Sequence, residues 1–351
     1  MKRGLGLLVT IAATGVLVAA APPATLRETN EALLRRLQHG HGLDDAAVQR
    51  VRTIFERSGF IGQGNPALSR HPSSPEQCRA ARGQPLAARP PGQAPGEAPA
   101  GPADDTANDA RLCGGPHMAP LYDPARQRPA DARACIDRYE FPGLPCEYPV
   151  VWAKAREAAL ICAAIGKRLC DAHEWEGACH GALQPPDYRF DLARGVPPAV
   201  AVSRMREAHN RTGAADKRWS YGPAYRAGVC ATGSAKSPGC VGGGWQACGT
   251  NTYPAGAFAA CRSPLGVYDL HGNAAEHMNL PLAPGQMASA GSTELGVTEM
   301  KGSWFVFDTF RAHEDWCRWR APYWHGSRVL DPHSHANYHL GFRCCKTLPA
   351  R

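Results

Sequence analysis

Fourteen cysteines in 351 residues constrain this chain more than any other feature. An even number at this density exceeds what a reduced cytosolic protein keeps as free thiols, so folding in an oxidising compartment is expected. Size alone imposes no need for such staples, because a chain this long can bury a substantial core. The N-terminus agrees with export: Lys2 and Arg3 precede an apolar run from Leu5 to Val18, which ends in small residues, Val18-Ala19-Ala20. This layout reads as a signal peptide over residues 1–20, since the run is shorter than the ~20 apolar residues a membrane-spanning helix needs. No cysteine stands at the cleavage point to carry a lipid, and no later segment is apolar enough to span. A periplasmic or secreted protein with no transmembrane segment is therefore expected. The formal charge of +8 does not indicate nucleic acid, because the basic residues are mostly arginines scattered among Ala, Pro and Gly and form no phosphate-tracking patch.

Residues 21–78 read as a helical hairpin. Thr25 and Glu28 have capping-box spacing, and Leu33, Leu34 and Leu37 follow at helical intervals up to Gly40. A second helix starts near Leu43-Asp44, carries Val48, Val51, Ile54 and Phe55 on one face, and stops at Gly59. Residues 79–112 are rich in Pro, Ala and Gly with little to bury and read as a linker. Cys78 and Cys113 bracket it and are expected to pair across it. In the body, residues 113–351, a helix is expected over Val151 to Ile165 with Trp152, Ala155, Ala159 and Cys162 on one face. Asp171 and Glu174 should cap a short helix bearing Trp175 and Cys179. Everything after about Arg189 reads as loops and short strands.

A set of ordered blocks then carries a resemblance. Cys135-Ile-Asp-Arg-Tyr-Glu140, Pro149-Val-Val-Trp152, Gly166-Lys-Arg-Leu169 and Glu174-Trp-Glu176 come first. Leu265-Gly-Val-Tyr-Asp-Leu-His-Gly-Asn273 with Glu276, Lys301-Gly-Ser-Trp304 and Leu340-Gly-Phe-Arg-Cys344 follow. Over roughly residues 130 to 346 the chain resembles the formylglycine-generating-enzyme (sulfatase-modifying factor) domain. The resemblance implies an α+β, C-type-lectin-like fold with much irregular structure, its terminal strands close together, here preceded by the hairpin. It also implies disulfides Cys162–Cys344 and Cys179–Cys317, with Cys170–Cys179 as the rival for the second.

The family's oxidases hold copper on two cysteines and use O2, the first cysteine lying three residues after a Gly-Gly-Ser serine. Here that block is Lys301-Gly302-Ser303, and the matching position is Val306, which has no ligand atom. The next cysteine is Cys317. It follows Trp316 as the second copper cysteine would after an insertion, but without one it falls at the family's structural cysteine, near Trp319-Arg320. The structural register is preferred, and in either register the two-thiolate Cu(I) site is incomplete. The family's Asn-Ala-Trp-Glu-Trp block reads Asn273-Ala274-Ala275-Glu276-His277 and has lost both tryptophans.

For a hard cation the better place is Asp269, Gly272, Ala274 and Glu276, which match a structural calcium site of the family: two carboxylates and two backbone carbonyls around a Gly-Asn turn. The plainer reading is a hydrogen-bonded turn with two acids. The family's second calcium site has no clear counterpart, as the region around Cys230 carries no obvious acid. His333, His335 and His339, with His313 and His325, could supply imidazoles to zinc, copper or iron, although a solvated loop explains them as well. His271 and His277 are weaker candidates. Two functions follow as expectations. One is an exported binding or scaffold protein of the cell envelope holding an unidentified protein or peptide partner. The other is a divergent metal- and O2-dependent oxidase of a thiol, peptide or small molecule, with a site rebuilt from Cys317 and histidines.

Overall fold

The computed structural model describes residues 24–82, 106–321 and 327–349. The expected signal peptide, the centre of the expected linker and His325 lie outside these residues. α1 (Leu26–His41) opens on the capping box: Glu28 N–H donates to Thr25 Oγ1 (3.2 Å) and Thr25 N–H donates to the Glu28 carboxylate (2.7 Å). α2 (Asp45–Ser58) is capped by Asp44, which accepts from Ala47 N–H, and both helices end on a left-handed glycine, Gly42 and Gly59. Their apolar faces do more than close on each other. Leu33, Leu34, Leu37, Val48, Val51 and Phe55 share one buried cluster with Phe141, Ala158, Ile161 and Phe342, so the hairpin packs into the core of the body.

The expected linker is helical at both described ends, in α3 (Pro75–Arg82) and α4 (Thr106–Cys113). The Cys78–Cys113 pairing is incorrect. Cys78 is bonded to Cys146 and Cys113 to Cys135. α4 packs on β1 (Met118–Leu121), whose partner β2 (Ala134–Asp137) carries Cys135, so pairing with β1 decides where Cys113 goes. Nearness along a linker carries no such information.

Two small sheets organise the body. One runs β1-β2-β7-β3, all neighbours antiparallel, with β3 at Arg168–Leu169 and β7 at Cys344–Thr347. In the other, β4 (Ala275–Leu280) lies between antiparallel β5 (Val297–Lys301) and parallel β6 (Leu340–Phe342). β6 and β7 are separated by Arg343 alone, so one extended stretch leaves one sheet and enters the other. All six residues of β4 are buried, as a central strand covered on both faces requires. The chain is thus mixed α and β with much irregular structure, compatible with α+β.

Two helices depart from expectation. α5 (Ala155–Ala164) begins four residues later than read from Val151, because Val151 bridges to Gly62 and Trp152 takes a left-handed φ of 59°. α7 (Pro198–Gly213) lies in the stretch expected to be loops. Its buried face, Ala201, Val202, Met205, Ala208 and His209, does have helical spacing, but small and polar residues weaken the apolar signal. α7 is fixed by polar contacts: Arg206 Nε donates to Glu299 Oε2 (2.7 Å), and the side chain of Asn210 bonds the backbone of Arg320 in both directions.

Arg343 holds the junction between the sheets. Its guanidinium is bidentate to Glu276 of β4 (2.6 and 2.6 Å) and donates to the carbonyls of Asp137 (3.1 Å) and Tyr268 (3.0 Å). Removing one partner of a buried, fully bonded pair typically costs about 3–5 kcal/mol. Arg343→Met should therefore cost that much in urea denaturation, and adding Glu276→Gln should cost clearly less than the sum of the single losses. Simple additivity would mean the pair does not act as a unit.

Candidate functional site

The Asp269–Glu276 turn is built by left-handed backbone at Asp269, Gly272 and Asn273 (φ 55°, 73° and 56°). A Cβ at Gly272 would sit 2.5 Å from the Ala231 carbonyl oxygen, so this position admits glycine only. Asn273 locks the turn: its Oδ1 accepts from Tyr253 N–H (2.8 Å) and its Nδ2 donates to Glu140 Oε2 (2.6 Å), while Glu140 Oε1 accepts from Ala274 N–H (2.8 Å). Asp269 Oδ2 accepts from Gly256 N–H, and both oxygens of Glu276 are on Arg343.

The turn therefore gathers three buried carboxylates, Glu140, Asp269 and Glu276, around one fully buried guanidinium. Burial pushes Asp269 up to about 7, against the pull of the Gly256 amide and of Arg343. Burial, then the charges of Asp269 and Glu276, raise Glu140 well above the ordinary range. Glu276 is also raised by burial, with Arg343 opposing. A surplus of buried carboxylate must be neutralised by protons or by a cation. An all-oxygen set of this kind is chemically suited to calcium, but Glu276 is already shared with Arg343 and the three carboxylates do not gather on one point.

Behind the turn lies a second cluster. Cys179, on α6 (Ala172–His180), is bonded to Cys317, and His271 Nε2 is 3.3 Å from Cys179 Sγ and 4.0 Å from Cys317 Sγ. His271 Nε2 accepts from Ser220 N–H (3.0 Å), which leaves the proton on Nδ1, 3.5 Å from Asp315 Oδ2. Asp315 also accepts from Ser303 Oγ and Trp219 Nε1, both at 2.8 Å. Burial raises its carboxyl, but the nearby His271 imidazole and the hydrogen bonds from Trp219 and Ser303 prevail and hold it below the ordinary value. Cys162 is bonded to Cys344, while Cys170, the rival partner for Cys179, is bonded to Cys345. All fourteen cysteines are paired.

Val306 is buried among Trp152, Trp304, Phe305 and Tyr338, in apolar core. Among the described residues the candidate histidines do not converge. His333 and His335 are exposed, His339 stacks on Trp304 (4.5 Å between ring centres), and His313 stacks on Trp319 (4.9 Å). His277 bonds the Ala153 carbonyl through Nε2 (3.0 Å) and is pushed down to about 4 by burial, hence neutral at pH 7. Among the described residues, Cys179, His271 and Cys317 form the one group of three His, Cys or carboxylate ligand atoms that all lie within 4.8 Å. Sequence reasoning ranked His271 low and overlooked Asp315. The adjacency of Asp315 to Trp316-Cys317 was a usable signal only once Cys317 was bonded to α6.

No protein-family model matches this chain, and no curated protein is significantly similar to it in sequence.

Because the folded pKa of Asp269 lies above its unfolded value, the folded state holds the proton more tightly. That stabilisation is complete below the ordinary carboxyl value of 3.8 and is lost as pH rises through about 7. In chelator, thermal stability should fall across this window. Calcium, by binding the ionised carboxylate, should offset the fall at the upper end, and Asp269→Asn should flatten the chelator profile. A wild-type profile already flat, and indifferent to calcium, would remove Asp269 from both roles.

Proposed function

We propose that this is an exported binding or scaffold protein of the cell envelope, with a C-type-lectin-like, sulfatase-modifying-factor-type body that has no formylglycine-generating chemistry. The observation that carries the reading is the fate of the first copper position: Val306 is apolar core, while Cys317, in the structural register, is bonded to Cys179. A linear Cu(I) site needs two thiolates, and these residues do not fit one. Seven disulfides, and no helix among the described residues long and apolar enough to cross a membrane, fit an extracellular or periplasmic protein.

A binding role has a surface to use. Phe60, 47% exposed at the end of the hairpin, lies 5.1 Å from Trp245, which in turn lies 5.1 Å from Trp152. Val241, 85% exposed, stands on the small loop closed by Cys240–Cys248 beside Trp245. This aromatic face joins the N-terminal hairpin to the body and suits a protein or peptide partner. Calcium at the Asp269 turn belongs to this reading as a structural ion that would have to share Glu276 with Arg343.

Loaded with copper and supplied with O2, the protein should leave a cysteine peptide of the sulfatase type unchanged in mass. Aldehyde formation that depends on copper and disappears in Cys317→Ser would overturn the proposal in favour of the divergent oxidase. Phe60→Ala with Trp245→Ala should weaken partner retention while leaving thermal stability close to wild type. Undiminished retention would move the binding surface elsewhere.

A further inference from the structure

The sulfur cluster behind the turn has a feature that a purely structural disulfide does not need: an imidazole nitrogen 3.3 and 4.0 Å from the two sulfurs and an anion behind the ring. We propose that Cys179, Cys317 and His271 form a zinc site in the dithiol state of the chain, so that this cysteine pair is closed either by a disulfide or by a metal ion. This goes beyond the binding role and does not depend on it.

Zinc takes thiolate sulfur at about 2.3 Å and imidazole nitrogen at about 2.0–2.1 Å, so tetrahedral ligand atoms stand roughly 3.5–3.8 Å apart. His271 Nε2 is already 3.3 and 4.0 Å from the two sulfurs, and the Cα atoms of the cysteines are 5.4 Å apart, so the sulfurs need only part from bonding distance. The protonation of His271 is the one zinc requires. Ser220 N–H donates to Nε2, which places the lone pair there in a bond that zinc would displace, and Nδ1–H faces Asp315 at 3.5 Å. A carboxylate behind a ligating imidazole fixes its tautomer and orientation. Ser220 also carries a buried hydroxyl with no hydrogen-bond partner. None of the other six disulfides has a third ligand atom this close among the described residues.

The chemistry balances without an added reductant. The nascent chain carries both residues as thiols. Closing the bond releases two protons and passes two electrons to an external disulfide oxidant, which leaves as two thiols. Zinc displaces the same two protons, holds both sulfurs as thiolates and transfers no electrons, so it competes with the oxidant. Burial of the cluster, with both cysteines and His271 at most 1% exposed, means that the choice is made as the chain folds.

The test refolds the fully reduced chain in a glutathione redox buffer with cadmium, a spectroscopic substitute for zinc, and without it. With cadmium, a species should appear that holds one metal ion per chain, shows a thiolate-to-cadmium absorption band and has two alkylatable cysteines that map to Cys179 and Cys317. Its near-ultraviolet circular dichroism should match that of the metal-free, fully oxidised product. His271→Ala, which still allows the disulfide, should lose the cadmium species, and Asp315→Asn should weaken cadmium binding by about 10–100-fold. Three results would each overturn the proposal: full oxidation with no metal retained, free thiols at other positions, or cadmium retained equally by His271→Ala. Cadmium held only by a chain lacking the native circular dichroism would do the same.

Discussion

The buried pair of Arg343 and Glu276 is the interaction on which the rest of the body depends. Arg343 is the single residue between β6 and β7, so its backbone belongs to neither sheet while its side chain is bonded to elements of both. Glu276 projects from the central strand of one sheet, and the Asp137 carbonyl closes the second strand of the other. A buried guanidinium is costly unless nearly every N–H finds an acceptor, and here two carboxylate oxygens and three carbonyls supply them. Lysine, a point charge, could not satisfy this planar arrangement.

Covalent bonds reinforce the same junction. Cys344 and Cys345, the next two residues, point to opposite sides as strand residues must: one is bonded to Cys162 on α5, the other to Cys170 just before α6. These bonds join residues 182 and 175 positions apart, and Cys179–Cys317 joins residues 138 apart. In the chain-entropy account, loops of this length remove the most freedom from the unfolded state, on the order of 4–5 kcal/mol each. A body with two small sheets and long irregular connections offers little cooperative hydrogen bonding, and long-range cross-links offset that.

The features legible in the sequence were those written locally. The hairpin was readable because capping residues, terminal glycines and leucine spacing all lie within a few positions of one another. The short helix with Trp175 and Cys179 was readable through Asp171 and Glu174 for the same reason, and Glu174 N-terminally bonds Asp171 N–H at 2.9 Å. What escaped depends on tertiary partners. α7 is held by an ion pair from Arg206 and a hydrogen bond from His209 to residues 93 and 109 positions away, so its buried face does not look apolar. Cys78 and Cys113 go where α3 and α4 dock. Glu276, read as a possible ligand, is claimed by Arg343, and only the folded chain brings the two together.

The arrangement of sulfur and charge also explains why this body holds together around Val306 and Ser303. A copper thiolate at position 306 would need a polar, reachable setting, whereas Val306 adds to an apolar cluster with Trp304, Phe305 and Tyr338 and so contributes burial there. Ser303, three residues earlier, is turned to structural use: its hydroxyl accepts from Gly272 N–H (2.9 Å) and donates to Asp315 (2.8 Å). That one side chain ties the carboxylate turn to the Cys179–His271–Cys317 cluster. The two clusters are therefore a single buried polar unit, and a change in charge or coordination at either one must be felt at the other through Ser303.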